Sequence, residues 1–328
     1  MSTAKFLDAK YDSKAGDRPP LALIAGPTAS GKSDCAVALA QELETRGRSA
    51  VVLNADASQV YADIPILSAC PAEEERGGIA HRLFGTWDAA TACSAADWAT
   101  AARTEIAEAH ERSAIPILVG GTGLYIRTLL DGIAPIPAID PAVREAVRAL
   151  PVAEAHAALS REDPQRAAQL APADTTRVAR ALEVVRSTGH PLAHWQERKE
   201  GGIADQVTLF PAILMPERQW LYERCDLRFT RMVEAGALPE VEALLARKLD
   251  PDLPAMRAIG VPELAAHLRG EITCEEAIAR GAQATRRYAK RQFTWLRHQP
   301  PEDWPRIESE NYTLKSICDI LFRRFGLT

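Results

Sequence analysis

Eight consecutive residues, Gly26, Pro27, Thr28, Ala29, Ser30, Gly31, Lys32 and Ser33, have the spacing G-x-x-x-x-G-K-[ST]. That spacing suits a phosphate chain. Backbone N–H groups of a tight loop surround the phosphate oxygens, Lys32 adds a point charge, and the Ser33 hydroxyl can ligate Mg²⁺. An NTPase or kinase needs further parts, among them an acid at the end of a neighbouring apolar strand. Here the apolar run 115–119 leads instead into Gly120, Gly121, Thr122, Gly123, Leu124 and Tyr125. A different run ends at Asp56, within Asn-Ala-Asp-Ala-Ser-Gln-Val-Tyr. A carboxylate there suits a magnesium-site acid, a general base or a helix cap.

Further along, residues 284–298 place Arg286, Lys290 and Arg297 on one side of a helical pattern, with Tyr288, Phe293 and Trp295 interleaved. Such a face suits an RNA backbone with unstacked bases, although a charge run is more often a solvated face. His190 and His194 have the spacing of a metal pair, but Pro191 and the lack of a nearby third ligand point to a surface turn.

These residues need a scaffold. The runs LALIAG, SAVVLN, IPILVGG and VTLFPAILMP read as strands, and helical patterns separate the first three. Strand alternating with helix implies a parallel α/β sheet with ligands at the carboxyl ends of its strands, where Gly26, Asp56 and Thr122 fall. From about Asp140 to Trp195 the strand signal gives way to Ala-, Arg- and Glu-rich helical sequence. The expected layout is a mobile tail over 1–18, a core of 19–136 and 203–300, a helical insertion over 137–202, and a C-terminal extension over 301–328.

The chain has 328 residues, 47% hydrophobic and 25% charged, enough to bury a core. Its net charge of −5 argues against a protein that binds polyanions over its whole surface, so any nucleic-acid site is local. Six scattered cysteines without a CxxC pair suggest reduced thiols in a cytoplasm. The first twenty residues mix both charge signs and hold no apolar run, which predicts neither signal peptide nor membrane anchor.

Taken in order, the motifs resemble the tRNA dimethylallyltransferase (tRNA isopentenyltransferase) family. The resemblance rests on GPTASGKS, the Asp56 segment ending QVY, SAADW from Ser94, VGGTGLY from Val119, D-x-x-R-x-x-RALEV from Asp174, LYERCDLRFTRMVEAGALPEV, AIG from Ala258, and TRRYAKRQFTWLR from Thr285. It implies a P-loop kinase-like parallel core with a helical insertion that closes on RNA. The implied reaction moves a dimethylallyl group from dimethylallyl diphosphate to N6 of adenosine 37, in the anticodon stem-loop of tRNAs reading codons that begin with U. The loop then holds a leaving group, which accounts for the missing hydrolytic acid.

On this resemblance Asp56 is the base and Thr122 orients the adenosine. Gly26 to Ser33 and Arg228 hold the diphosphate, with Mg²⁺ at Ser33. The implied tRNA contacts are Asp56, Ala57, Ser58, Gln59, Thr122, Arg144, Thr176, Arg177, Val178, Ala179, Arg180, Met256, Arg257, Ala258, Ile259, Gly260 and Val261. The basic face at 286–297 would lie near phosphate or brace the core helices, with phosphate favoured. A cytoplasmic monomer with no membrane partner is expected. The sequence departs from the family pattern at Ala57, Cys70, Gly85 and Val261, which leaves the chemistry intact and bears on affinity or tRNA preference. Two other functions share the loop: an adenylate isopentenyltransferase and a P-loop small-molecule kinase.

Overall fold

A computed structural model describes residues 18–308 and 314–324. The expected tail lies outside the described residues except for Arg18. The described chain forms two compact units, one of residues 130–203 and one of 18–129 together with 204–308 and 314–324.

The larger unit is built on six parallel strands: β1 (Pro20–Ala25), β2 (Ala50–Asn54), β3 (Ala80–Arg82), β4 (Ile115–Gly120), β5 (Thr208–Leu214) and β6 (Arg306–Ile307), in the order β3-β2-β4-β1-β5-β6. Both faces of β1 and β4 are covered, so these strands are continuous apolar runs with no polar alternation. Ile24 pairs in register with Val119 on one side and Ala212 on the other. Leu39 and Leu43 of the helix Lys32–Thr45 pack on Ile24, Val52, Ile117 and Leu214. Residues 301–328, set apart as an extension above, supply β6 and the helix Leu314–Arg324, whose Ile317 and Leu321 join this core.

β2, β4 and β1 are neighbours, so the turns that follow them open side by side. Gly26, Asp56 and Thr122, spread over about a hundred residues of sequence, therefore share one end of the sheet.

The smaller unit is helical, with Pro141–Arg148, Val152–Glu162, Pro164–Ala167, Thr175–Thr188 and Leu192–Gln196. Each of three starts is capped by a carboxylate: Asp140 accepts from Ala142 N at 2.8 Å, Asp163 from Arg166 N at 3.0 Å and Asp174 from Arg177 N at 3.3 Å. Gly189 ends the fourth helix in the left-handed region at φ 71°. Val147, Leu159, Val178 and Leu182 form the core of this unit.

Candidate active site

The Gly-rich loop leaves β1 and is tied to β4 by a bond from Gly26 N to Gly120 O of 3.2 Å. A side chain at position 26 would lie 2.6 Å from Ser30 Oγ, and Gly31 sits at φ 84°, so both glycines answer to the tightness of the turn. Lys32 opens the helix but turns back across the loop, donating to Pro27 O at 3.4 Å. It is 7% exposed. Burial lowers its pKa from 10.5 to about 8; Asp56 opposes that shift and Arg228 adds to it.

The Asp56 turn is fixed by its neighbours. Asn54, fully buried at the end of β2, accepts from Asp56 N at 2.8 Å and donates to Asp56 O and Leu83 O, each at 3.0 Å. Trp98 Nε1 donates to Asn54 O at 2.9 Å. Asp56 Oδ1 accepts from Ser58 N at 3.0 Å, so the carboxylate caps its own turn and heads no helix. Thr122 Oγ1 accepts from Ala57 N at 2.9 Å, and Thr122 N donates to Ala55 O at 3.2 Å. At Gly120 a Cβ would come within 2.2 Å of Ala55 O, a close approach that only glycine permits.

Two long helices close the other side. From Arg218–Met232, Arg224 Nε donates to Ala29 O at 2.9 Å and Arg228 to Thr28 Oγ1 at 3.3 Å. Burial lowers the Arg228 pKa and Asp56 opposes the change. From Cys274–His298, Gln292 reaches both Thr28 and Gly121. Tyr288 has its pKa raised, by burial first and by Asp56 second, with hydrogen bonds to Thr122 and Gln292 opposing. Thr28, Asp56, Ser58, Arg228, Ala258, Ile259 and Tyr288 line one open cavity, with Leu67, Phe229 and Met232 on its apolar wall.

The cavity thus joins a phosphate-type loop, a carboxylate and an apolar surface. Sequence reasoning missed Asn54 and Gln292, and placed Tyr288 on an RNA-facing helix surface without seeing that it lines this cavity. Tyr288 and Gln292 stand four apart within the Arg-rich stretch, where counting charge drew attention from the neutral side chains on the inner face.

Other expected residues lie elsewhere or have other partners. The Gln59 amide donates to Ser68 O at 3.2 Å and Ala69 O at 2.7 Å, holding a turn of the cavity wall. Gly260, at φ 99°, precedes the helix Val261–Leu268, and Arg257 is exposed. Val178 and Val261 are each 1% exposed, so the expectation that both contact tRNA is corrected for their side chains, which the cores of their units occupy. In the smaller unit Arg144, Thr176, Arg177 and Arg180 are exposed and Ala179 is half-buried. There the carboxylate of Glu183 takes Arg148 at 3.1 Å and Arg180 at 3.8 Å.

On the basic face some groups have partners within the fold. Arg286 pairs with Asp226, Arg297 with Glu308 at 3.2 Å, Phe293 is buried, and a side chain at Gly123 would lie 2.3 Å from the Trp295 ring. Arg286 and Arg297 brace the fold and the aromatics pack inward; Arg287 and Lys290 stay exposed. The rings of His190 and His194 stack at 4.5 Å on exposed residues, and no group of three His, Cys, Asp or Glu side chains suited to a metal occurs among the described residues. Half-buried Ser33 at the head of its helix offers one hydroxyl, and a single hard oxygen donor beside a phosphate chain is compatible with Mg²⁺. No helix among the described residues is long and apolar enough to cross a membrane.

Comparison with known proteins follows the same lines. The model of the IPP transferase family matches residues 59–299, and that of Zeta toxin matches 3–98. A tRNA dimethylallyltransferase of Erythrobacter litoralis is 64% identical over 308 residues, 94% of this chain and 97% of the relative. One from Zymomonas mobilis is 50% identical over 315 residues, 96% of this chain and 99% of the relative. Among solved structures, the full-length tRNA isopentenylpyrophosphate transferase of Bacillus halodurans is similar with a TM-score of 0.65 at 32% identity, covering 95% of this chain and 99% of that one. A eukaryotic dimethylallyltransferase acting on tRNA gives 0.75 at 26% identity, with 94% and 78% covered.

Proposed function

Because the chain belongs to the IPP transferase family, we propose that it is a tRNA dimethylallyltransferase that prenylates N6 of adenosine 37 in tRNAs reading codons that begin with U. The observation that carries the reading is the sharing of one cavity by Thr28 and Arg228 of the phosphate side with Asp56 at the end of β2.

The lone pair of an adenine amine is delocalised into the ring, so a base must remove a proton as the new bond forms. Asp56 takes that proton. The N6–C bond forms while the allylic C–O bond breaks, and the diphosphate departs into the loop with the bonding electrons. Loop N–H groups, Lys32 and Arg228 stabilise its growing charge. Mg²⁺ at Ser33 would supply further charge neutralisation. Cavity-lining Leu67, Phe229 and Met232 suit the five-carbon chain and exclude water from a carbon that develops positive charge.

The base must leave its stack to reach this cavity. Thr122 and residues 56–59 and 256–260 then receive the anticodon loop, with Arg144, Thr176, Arg177, Ala179 and Arg180 of the insertion as further contacts. The protein acts as a cytoplasmic monomer.

The test offers dimethylallyl diphosphate with either unmodified tRNA or AMP and reads the products by mass. A gain of one dimethylallyl group on tRNA, mapped to adenosine 37, is expected. Product on AMP alone makes the protein an adenylate isopentenyltransferase, and phosphoryl transfer from ATP to a small substrate makes it a kinase; either outcome overturns the reading.

A further inference from the structure

The helix Cys274–His298 brings one neutral polar side chain into the middle of the site. Gln292 is 5% exposed. Its Oε1 accepts from Thr28 N at 2.8 Å, and its Nε2 donates to Gly121 O at 3.1 Å. The first partner belongs to the phosphate loop. The second immediately precedes Thr122, which in turn holds Ala57 beside Asp56. We infer that Gln292 is a positioning residue that fixes the spacing between the diphosphate loop and the adenosine-side turn; this rests on the function proposed above.

Three observations support the inference. The two loops have little other means of setting their separation, since the backbone bond from Gly26 N to Gly120 O lies at their roots and not at Thr28 or Thr122. Space has been cleared for the amide: a Cβ at Gly121 would lie 2.3 Å from Gln292 Nε2 and 2.6 Å from Gly26 O. The task also needs one acceptor and one donor in a plane at the end of one side chain. Among side chains of this length only an amide, or a carboxylic acid in its protonated form, supplies both. An apolar side chain at this position would leave Thr28 N and Gly121 O without this partner, so the amide answers to both turns at once.

That equivalence between amide and protonated acid provides the test. In Gln292→Glu the ionised carboxylate still accepts from Thr28 N but turns a second negative oxygen toward Gly121 O. The protonated acid restores the donor. Burial raises the pKa of such a carboxyl, so the switch falls within a workable pH range. Gln292→Leu removes both bonds and has nothing to titrate.

Prenyl transfer to tRNA is measured for the full chain and both variants across pH, each rate divided by the unsubstituted enzyme's at the same pH. Titrations common to the three proteins then cancel. At pH 8 both variants are expected to lose kcat on the order of 100-fold with KM values for both substrates within about threefold, the mark of displaced reacting groups with binding retained. The Gln292→Glu ratio rises as pH falls, and the Gln292→Leu ratio stays flat. Unchanged kcat in the leucine variant, a flat glutamate ratio, or a loss confined to KM overturns the inference.

A second readout needs no turnover. Amide hydrogen exchange over residues 26–33 of the free protein is expected to quicken in Gln292→Leu, and at high pH in Gln292→Glu relative to matched unsubstituted protein. Unchanged exchange overturns the clasp. An unsubstituted enzyme that fails to prenylate tRNA would instead overturn the proposed function, while the exchange experiment still decides what Gln292 holds.

Discussion

Replacing Lys32 by methionine should make the ligand-free protein more stable while destroying its affinity for diphosphate. Lys32 is 7% exposed, and burial lowers its pKa from 10.5 to about 8. At 1.36 kcal/mol for each pH unit, the folded state carries a cost of about 3 kcal/mol for keeping this ammonium charged. The bond of 3.4 Å to Pro27 O is long and returns little of it.

The sign follows from linkage. Below pH 8 the lysine is charged in both states and the full cost applies. Between pH 8 and 10.5 the folded protein has shed the proton while the unfolded chain holds it, so stability rises with pH. Denaturant unfolding at pH 7 should therefore show Lys32→Met more stable by up to about 3 kcal/mol, with a melting temperature higher by roughly 5–10 °C. At pH 9.5 most of that advantage should disappear. Calorimetry with inorganic diphosphate should detect binding to the unsubstituted protein and none to the variant. A Lys32→Met protein no more stable at pH 7, or an advantage that does not shrink at pH 9.5, would refute the claim that the loop stores a strained cation for its ligand.

Three further outcomes test the site. Asp56→Asn keeps the turn-capping oxygen yet cannot take a proton, so single-turnover prenyl transfer should fall about 10²–10⁴-fold while tRNA binding in a filter assay stays within a few-fold; normal turnover would remove Asp56 from the base role. Thr122→Val matches the shape and deletes the acceptor for Ala57 N at 2.9 Å. It should cost about 1 kcal/mol of stability and lower kcat more than diphosphate affinity, whereas a purely weaker diphosphate Kd would count against it. Gly281→Ala would ordinarily favour a helix, but its Cβ would lie 2.0 Å from Phe229 Cζ. Overpacking of about 1–3 kcal/mol should outweigh the propensity gain of about 1 kcal/mol, and a raised melting temperature would show that the cavity wall yields freely.

Four strands were legible because each is an apolar run ending in a glycine or polar turn. β3 and β6 were not: they hold three and two residues, β3 has an exposed, half-buried, exposed pattern, and each is defined by the neighbour it pairs with. The phosphate loop was legible because its function is local, with spacing, turn and helix start contained in eight residues. Gln292 lies 264 residues from Thr28, and no periodicity within its own helix reveals that partner. The ion pairs of the Arg-rich stretch were hidden for a related reason. Composition counts guanidinium groups, whereas what they touch depends on Asp226 and Glu308 from other elements.

The departures from the family pattern can now be weighed by which atoms the site uses. At position 57 the contact that joins the two turns is made by the backbone, Ala57 N to Thr122 Oγ1, so the side chain there does not enter it. At position 85 the backbone again serves, Gly85 N donating to Gln59 O at 2.9 Å, and φ of 59° suits glycine better than the residue it replaces. Val261 is buried beneath the turn. Three of the four departures thus fall where the fold asks for a backbone group or a filled core. Cys70 differs: its side chain is half-buried, burial raises its thiol pKa, and Arg76 opposes that change. Any altered substrate preference should therefore trace to the segment around Cys70 before the other three positions.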